Sequence, residues 1–350
     1  MSPQQAIDHL IGDLADRDLA DRDLADLVPV LRRRYGGAAV ERQLDNLRRH
    51  GASVEDARLW LSQAVRGDFK FMPIEHVERC LCGSRRSTLI NRFVFWNLLG
   101  TRRCDDCGTL FVSPRLTANV FRALFDESYF DHRNVEFWGR RRRSVFADAL
   151  RLLRRYSARS VFDVGCAYGH FVRHVRDRGL RATGCDISAS AVRIGRERLG
   201  VELIERSVAR IHERVGQFDF VVSLDTLYYT HDPARDLTSM RRLVPPGGRL
   251  LLRLRNALPS LVRASFQAAD DVARSILPAE HLWGFTPRSA RLILEKNGWE
   301  VELCEPAAYS RTPLSAITGA LVRLNRRAGA IFGRMPILTH SFNVVARRAC

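Results

Sequence analysis

The chain has 350 residues, of which 46% are hydrophobic, and its formal net charge at neutral pH is +17. This length and composition allow a full hydrophobic core and a second, smaller unit. No stretch approaches the roughly 18 apolar residues of a membrane-spanning helix, and the acidic N-terminus lacks the apolar segment of a secretory signal. We therefore expect a cytoplasmic protein without a transmembrane segment.

The positive charge comes almost entirely from arginine. The only lysines are Lys70 and Lys296, and the arginines are scattered apart from short runs at 32–34 and 140–143. A basic surface attracts phosphate groups, so an arginine surface that docks a nucleic acid or a protein stays open as an alternative. The scatter favours solvated or substrate-facing arginines and argues against a nucleic-acid partner.

Residues 1–75 are predicted to be helical. Hydrophobic residues recur at helical spacing from residue 27 to residue 65, and Gly36, Gly37 and Gly51 divide the pattern into short helices. No residue here suggests a chemical role. We expect a small helical bundle or an arm through which the chain forms a homo-oligomer.

From Arg159 onward, predicted strands and helices alternate, as in a parallel sheet that helices cover on both faces. A short apolar strand ends at Asp163 and leads into a turn of small residues, which let a backbone approach a ligand closely. A second strand ends beside Asp186, where a carboxylate could accept hydrogen bonds from two ribose hydroxyls. The spacing disfavours a dinucleotide site, because the third glycine of G-x-G-x-x-G would fall at His170.

The sequence D-x-G-x-A-x-G over residues 163–169 resembles motif I of the class I S-adenosylmethionine-dependent methyltransferases. Three later segments resemble the same family in the same order: its fourth strand at 218–225, a turn and fifth strand at 243–252, and a capped helix at 281–301. The resemblance covers roughly the last half of the chain. It implies a doubly wound, Rossmann-like α/β domain, which we place at residues 127–350. A domain that binds the cofactor without turnover remains an alternative.

The same resemblance implies which residues contact S-adenosylmethionine. Asp163 and the turn would hold the methionine part, and Asp186 would hold the ribose. The full set of expected cofactor contacts is Asp163, Gly165, Cys166, Ala167, Tyr168, Gly169, Asp186, Ile187, Ser207, Val208, Ser223 and Leu224. The side chains of Cys166 and Cys185 are expected to serve packing.

Methyl transfer mainly requires that the acceptor be positioned, and a general base helps when the acceptor is a hydroxyl or an acidic C–H. The candidate catalytic residues are His231 and His281, together with Tyr229. A tyrosine with a pKa of about 10 is better suited to line a pocket than to act as a base. The resemblance to bacterial methyltransferases implies a small-molecule acceptor of natural-product or sugar biosynthesis, methylated on O, N or C. The loop from Ser223 lacks the Pro-Pro motif of amino-methylating DNA enzymes.

Residues 76–126 are predicted to form a cysteine-rich module, with strand-like stretches at 92–99 and 110–112. Two pairs, Cys80-x-Cys82 and Cys104-x-x-Cys107, have the arrangement of a tetrahedral, structural zinc site. The segment resembles the zinc-ribbon region that precedes many bacterial methyltransferase domains. The first pair is shorter than the usual C-x-x-C, so His76 as a replacement ligand, and cysteines without metal, stay open.

The C-terminal part contains a second periodic segment. Hydrophobic residues at helical spacing with interspersed arginines predict a basic amphipathic helix at 313–334. This helix would cover the sheet, form a dimer contact or act as a lid over the acceptor. A last strand is predicted at 341–346.

Overall fold

The computed structural model describes residues 74–94, 99–116, 135–211, 215–264, 281–308 and 339–349, with isolated positions at 29, 32, 33 and 118. The helical arm expected at 1–75, with its role in oligomerisation, lies almost entirely outside the described residues. The basic helix expected at 313–334 also lies outside them. Within the described ranges, no helix combines the length and the hydropathy that crossing a bilayer requires.

Short strands surround the two cysteine pairs. They are β1 (Ile74–Glu75), β2 (Ser87–Val94), β3 (Leu99–Cys104), β4 (Leu110–Val112) and β5 (Arg115–Leu116). The strand predicted at 110–112 is confirmed. The single strand predicted at 92–99 is wrong, because Val94 and Leu99 face each other across the antiparallel β2–β3 pair. Apolar residues flank Asn97 on both sides in this stretch, so the sequence pattern hides the boundary between the two strands.

The remaining strands belong mostly to a large central sheet. They are β6 (Ser160–Val164), β7 (Arg181–Asp186), β8 (Leu203–Glu205), β9 (Phe220–Leu224), β10 (Arg249–Arg255), β11 (Trp283–Gly284), β12 (Trp299–Pro306) and β13 (Ser341–Arg348). The helices described are α1 (Val135–Arg141), α2 (Arg143–Arg155), α3 (His170–Arg176), α4 (Ala189–Leu199), α5 (Pro233–Arg242), α6 (Leu258–Ala264) and α7 (Pro287–Lys296).

The central sheet has seven strands in the order β12-β13-β10-β9-β6-β7-β8. Strands β6 to β10 run parallel, and β13 lies antiparallel between β10 and β12. The chain winds outward from β6 through β7 and β8, then crosses to β9 on the other side. This reversal next to β6 confirms the predicted doubly wound, Rossmann-like arrangement, and it places a crevice between the carboxyl ends of β6 and β9.

Alternation along the strands sends side chains to both faces of the sheet. On one face, Val161 and Val222 pack with hydrophobic residues of α2 and α3. On the opposite face, Phe162 and Val221 pack with hydrophobic residues of α5 and α7. Both faces are therefore buried, which agrees with the nearly continuous apolar sequence of β6 and β9.

Local sequence signals set the ends of two helices. The Ser188 hydroxyl accepts a hydrogen bond from Ala191 N at 3.1 Å, and Gly200 ends α4 in the left-handed region. At α7, Thr286 and Ser289 form a reciprocal capping box, with Pro287 at the first helical position. These predicted caps are confirmed.

The core continues from the cysteine-rich region into the central domain. Strand β11 pairs antiparallel with β4, so the four-stranded sheet β11-β4-β3-β2 takes one strand from the C-terminal half of the chain. One cluster of buried side chains contains Cys80, Cys104 and Phe111 together with Trp283 and residues of the central sheet. The described parts of the two regions are therefore packed as one unit.

Candidate functional site

The turn after β6 lies at the crevice between β6 and β9. Gly165 N and Cys166 N both donate to the carbonyl of Cys185, at 2.8 and 3.0 Å. Gly165 has a φ of 76°, and a Cβ atom at this position would collide with the side chain of Thr226. Glycine is therefore required at position 165 for two reasons, the positive φ and the close approach of the loop after β9.

Asp186 holds the other side of this turn. Its Oδ2 accepts a hydrogen bond from Ala167 N at 2.8 Å, and its Oδ1 accepts one from Ser188 N at 2.9 Å. Ala167 has a φ of 49°, which is uncommon for a residue other than glycine. A carboxylate has about four lone-pair positions. Each oxygen of Asp186 can therefore accept a further hydrogen bond from a ligand.

Asp163 is a buried carboxyl group beneath the turn. Only 3% of the Asp163 surface is exposed. Burial raises the pKa of Asp163 to about 7, the positive charge of Arg142 opposes this shift and the charge of Asp186 adds to it. A cationic group brought to this side chain would favour its ionised form.

The structure divides the other expected cofactor contacts into two groups. Ile187 is 46% exposed directly after Asp186 and offers an apolar surface at this edge. Tyr168 is buried and packs with Val135 and with Ala191 and Ile194 of α4. The remaining members of the second group are buried or half-buried: Cys166, Ser207, Val208, Ser223 and Leu224. The Ser223 hydroxyl has no partner within the described ranges.

A charged network at the end of β9 was not predicted from the sequence. Asp225 has a φ of 64°, and its Oδ2 accepts from Arg142 Nη2 at 2.7 Å. Arg253 of β10 donates to the other oxygen. Burial raises the pKa of Asp225, but the charges of Arg253 and Arg142 outweigh burial and hold it below its ordinary value. Asp225 is therefore an ionised, doubly paired carboxylate. Its position at the carboxyl end of a predicted strand was the available signal.

Three aromatic rings lie beyond this network. The ring of His281 lies 4.2 Å from that of Tyr228 and 4.9 Å from that of Tyr229, centroid to centroid. His281 is 2% exposed, and its Nδ1 has no hydrogen-bond partner among the described residues. Burial and then the charge of Arg255 lower the pKa of His281 to about 3. The imidazole is therefore neutral, with a buried nitrogen able to pair with a ligand.

The other two candidate bases differ from His281. His231 is half-buried in the loop after β9. Tyr229 is also half-buried and packs against Tyr228, with ring centroids 4.7 Å apart. Burial raises the pKa of Tyr228 well above its ordinary value, which excludes this phenol as a base. The structure thus brings Tyr229 and His281 together, with His231 two residues further along the same loop.

All four cysteines of the two pairs converge. The sulfur atoms of Cys80, Cys82, Cys104 and Cys107 lie within 4.8 Å of one another. A tetrahedral zinc ion with bonds of about 2.3 Å would hold its sulfur ligands about 3.8 Å apart, so the cluster has suitable dimensions. His76 is exposed and does not belong to the group. The short Cys80-x-Cys82 pair therefore supplies two members without the alternative histidine.

Residues 137–303 match the family model described as "Methyltransferase domain". This match agrees with the methyltransferase resemblance of the motifs at Asp163 and Asp186.

Curated relatives match a shorter stretch. The ubiquinone biosynthesis O-methyltransferase of Pseudomonas paraeruginosa is 32% identical over 109 residues, which are 29% of this chain and 47% of that protein. The enzyme of the same name from Dechloromonas aromatica is 29% identical over 141 residues, 35% of this chain and 61% of that protein. The chain thus spans about half the length of the curated relatives it matches.

Solved structures with a similar arrangement include methyltransferases of small molecules. The Burkholderia thailandensis 1,6-didemethyltoxoflavin-N1-methyltransferase aligns with a TM-score of 0.46 and 16% identity over 76% of this chain and all (100%) of that one. The Synechocystis magnesium protoporphyrin IX methyltransferase with bound SAH aligns with a TM-score of 0.45 and 16% identity, over 66% and 99% of the two chains.

Proposed function

We propose that this protein transfers a methyl group from S-adenosylmethionine to a small-molecule acceptor. The observation that carries the proposal is the position of Asp186 at the crevice where the winding of the sheet reverses, the switch point. Its carboxylate accepts hydrogen bonds from the turn at Ala167 and from Ser188, and each oxygen can accept a further one from a ligand. The family match over 137–303 supports the same activity.

The residues at the switch point suit each part of this cofactor. Asp186 would accept hydrogen bonds from the ribose hydroxyls, and the exposed Ile187 would cover one side of the adenine. Asp163 would face the positively charged amino group of the methionine part. When bound, the cofactor supplies an electrophilic methyl group, so the protein's main task is to position the acceptor.

The acceptor would lie on the β9 side of the crevice, where Tyr229 and His281 form an aromatic wall. The neutral His281 can accept a hydrogen bond from an acceptor hydroxyl, but a pKa of about 3 makes it a weak base. We assign proton removal to His231 and acceptor orientation to His281. The names of the curated relatives favour oxygen as the methylated atom, and natural-product or sugar biosynthesis is the context we propose.

We also propose that the four cysteines hold one structural zinc ion. Three of the four residues are buried, and the backbone amides of Gly83 and Gly108 donate to the carbonyls of Cys80 and Cys104, at 2.7 and 3.0 Å. A tight turn therefore closes each cysteine loop, over three residues in the first loop and over four in the second. Because all four positions are filled by protein sulfur, the ion would have no open position for catalysis.

The proposal is tested by S-adenosylhomocysteine binding, measured by calorimetry. Asp186→Ala should weaken binding about tenfold or more, because hydrogen bonds to charged groups contribute about 1.5–3 kcal/mol. Ser188→Ala is the matched control: it removes the cap of α4 beside the same turn but no proposed ligand. No binding to the unmodified protein, or equal losses in both variants, would refute the assignment. Incubation with cell extract and methyl-labelled cofactor then identifies the acceptor.

A further inference from the structure

Residues 281–283 lie between the cysteine-rich region and the loop after β9. The backbone of Leu282 forms hydrogen bonds with both regions. Its carbonyl accepts one from Val112 N of β4 at 3.0 Å, and its N–H donates one to the Tyr228 carbonyl at 2.9 Å. One residue thus links β4 to the loop that carries Tyr229 and His231. His281, the neighbouring residue, presents its ring to Tyr228.

The side chain of Trp283 makes a second link in parallel with the first. On the side of the cysteine-rich region, its ring lies 6.0 Å from that of Phe111, and the Arg115 guanidinium lies 5.5 Å from the ring centroid. On the other side, its indole Nε1 donates to the carbonyl of Thr230 at 2.8 Å. Thr230 directly precedes His231, so Trp283 connects the cysteine-rich region to both candidate histidines.

The cysteine cluster is closely joined to this connection. Strand β4 begins three residues after Cys107, and Cys104 N donates to the Thr109 carbonyl at 2.9 Å. Arg115, just after β4, is ion-paired with Glu75 at 2.7 Å, which fixes its position over Trp283. The first cysteine loop is held as well, because Lys296 of α7 donates to the Cys82 carbonyl at 2.9 Å.

We propose that the four-cysteine region positions the acceptor side of the active site, and that Trp283 is the positioning residue through which it does so. The cysteine cluster fixes β4, β4 fixes residues 281–283, and these hold the loop at 226–231. Asp163 and Asp186 lie on other strands, and the loop at 226–231 reaches the cofactor turn through Thr226, whose hydroxyl donates to the Gly165 carbonyl at 3.4 Å. The inference rests on the proposed function for the role of His231 and His281, whereas the coupling itself is measured without catalysis.

The first test compares two tryptophan variants by hydrogen–deuterium exchange of the full-length protein. Trp283→Phe keeps an aromatic ring but removes the bond to Thr230, so exchange at 226–231 should become about five- to tenfold faster. Trp299→Phe is the matched control, since Trp299 is equally buried but donates to Leu237 at 3.2 Å. Unchanged exchange at 226–231 in Trp283→Phe, or the same acceleration in Trp299→Phe, overturns the inference.

The second test starts from the cysteine cluster. Cys107→Ser should accelerate exchange at 226–231 and 281–285 more than exchange over β6 and β7, which follows global stability, while the affinity for S-adenosylhomocysteine stays within about twofold. Cys304→Ser, in β12, is the control. Acceleration confined to residues 80–112 overturns the inference. Accelerated exchange in a protein that never binds S-adenosylhomocysteine would overturn the proposed function alone.

Discussion

Asp163 and Asp186 end neighbouring parallel strands, yet their surroundings give them different properties. Burial raises the pKa of Asp186 too, but hydrogen bonds from backbone N–H groups oppose this shift, and its oxygens can accept further hydrogen bonds. Asp163 is held at a pKa of about 7 by burial, so near neutral pH it exists in both protonation states. The sequence predicted that both acids belong to the cofactor site. It did not predict this difference, because burial depends on how α2 and β7 pack around β6.

This difference makes cofactor binding pH-dependent. The raised pKa means that the free folded protein holds a proton on Asp163 below about pH 7, and a cationic amino group beside it would expel that proton. Affinity for S-adenosylhomocysteine should therefore fall as pH drops from about 7 to about 5, by up to about tenfold per pH unit. Calorimetry in buffers of different ionisation enthalpy should show proton release near pH 6. Asp163→Asn should show none; equal proton release in both proteins would contradict the assignment.

Among strands and helices, the features predicted best from the sequence were helix caps, which depend on residues close together in the chain. The caps at Ser188 and Thr286 involve hydrogen bonds within three residues, and both were found as expected. The strand at 92–99 was misplaced because pairing across a chain reversal decides it. The network of Arg142, Asp225 and Arg253 was missed for the same reason, since its members come from three distant segments that only the sheet brings together.

That network should be important for stability. Arg253 is buried, pairs with Asp225 and also donates to the Ala308 carbonyl at 2.9 Å. Arg253→Leu leaves Asp225 with one partner, and removal of one member of a buried pair costs about 3–5 kcal/mol. Urea unfolding should show a loss near the lower value, because Arg142 remains. Arg193→Ala removes an exposed pair with Glu197 on α4 and should cost less than about 1 kcal/mol. Similar losses in both variants would mean that Asp225 is well solvated.

Across the whole molecule, the cysteine-rich region and the catalytic domain share a sheet and a core. Their expected boundary at residues 126–127 follows the chain, but β11 and Trp283 cross it in space. Because β4 pairs with a strand more than 150 residues further along the chain, no local sequence pattern marks this pairing. Loss of the cysteine cluster is therefore expected to affect the stability of the catalytic domain itself.

This shared core gives a distinct thermal signature. Purified protein, prepared without chelators, should contain about one zinc per chain by elemental analysis. Cys104→Ser with Cys107→Ser should lose the metal and lower the Tm by on the order of 10 °C, because metal binding contributes folding free energy. Unfolding should remain a single transition by calorimetry, since β4 and β11 belong to one sheet. Cys304→Ser should retain the metal and most of the stability. Two separate transitions in the double variant, with the larger one unshifted, would show that the two regions unfold independently.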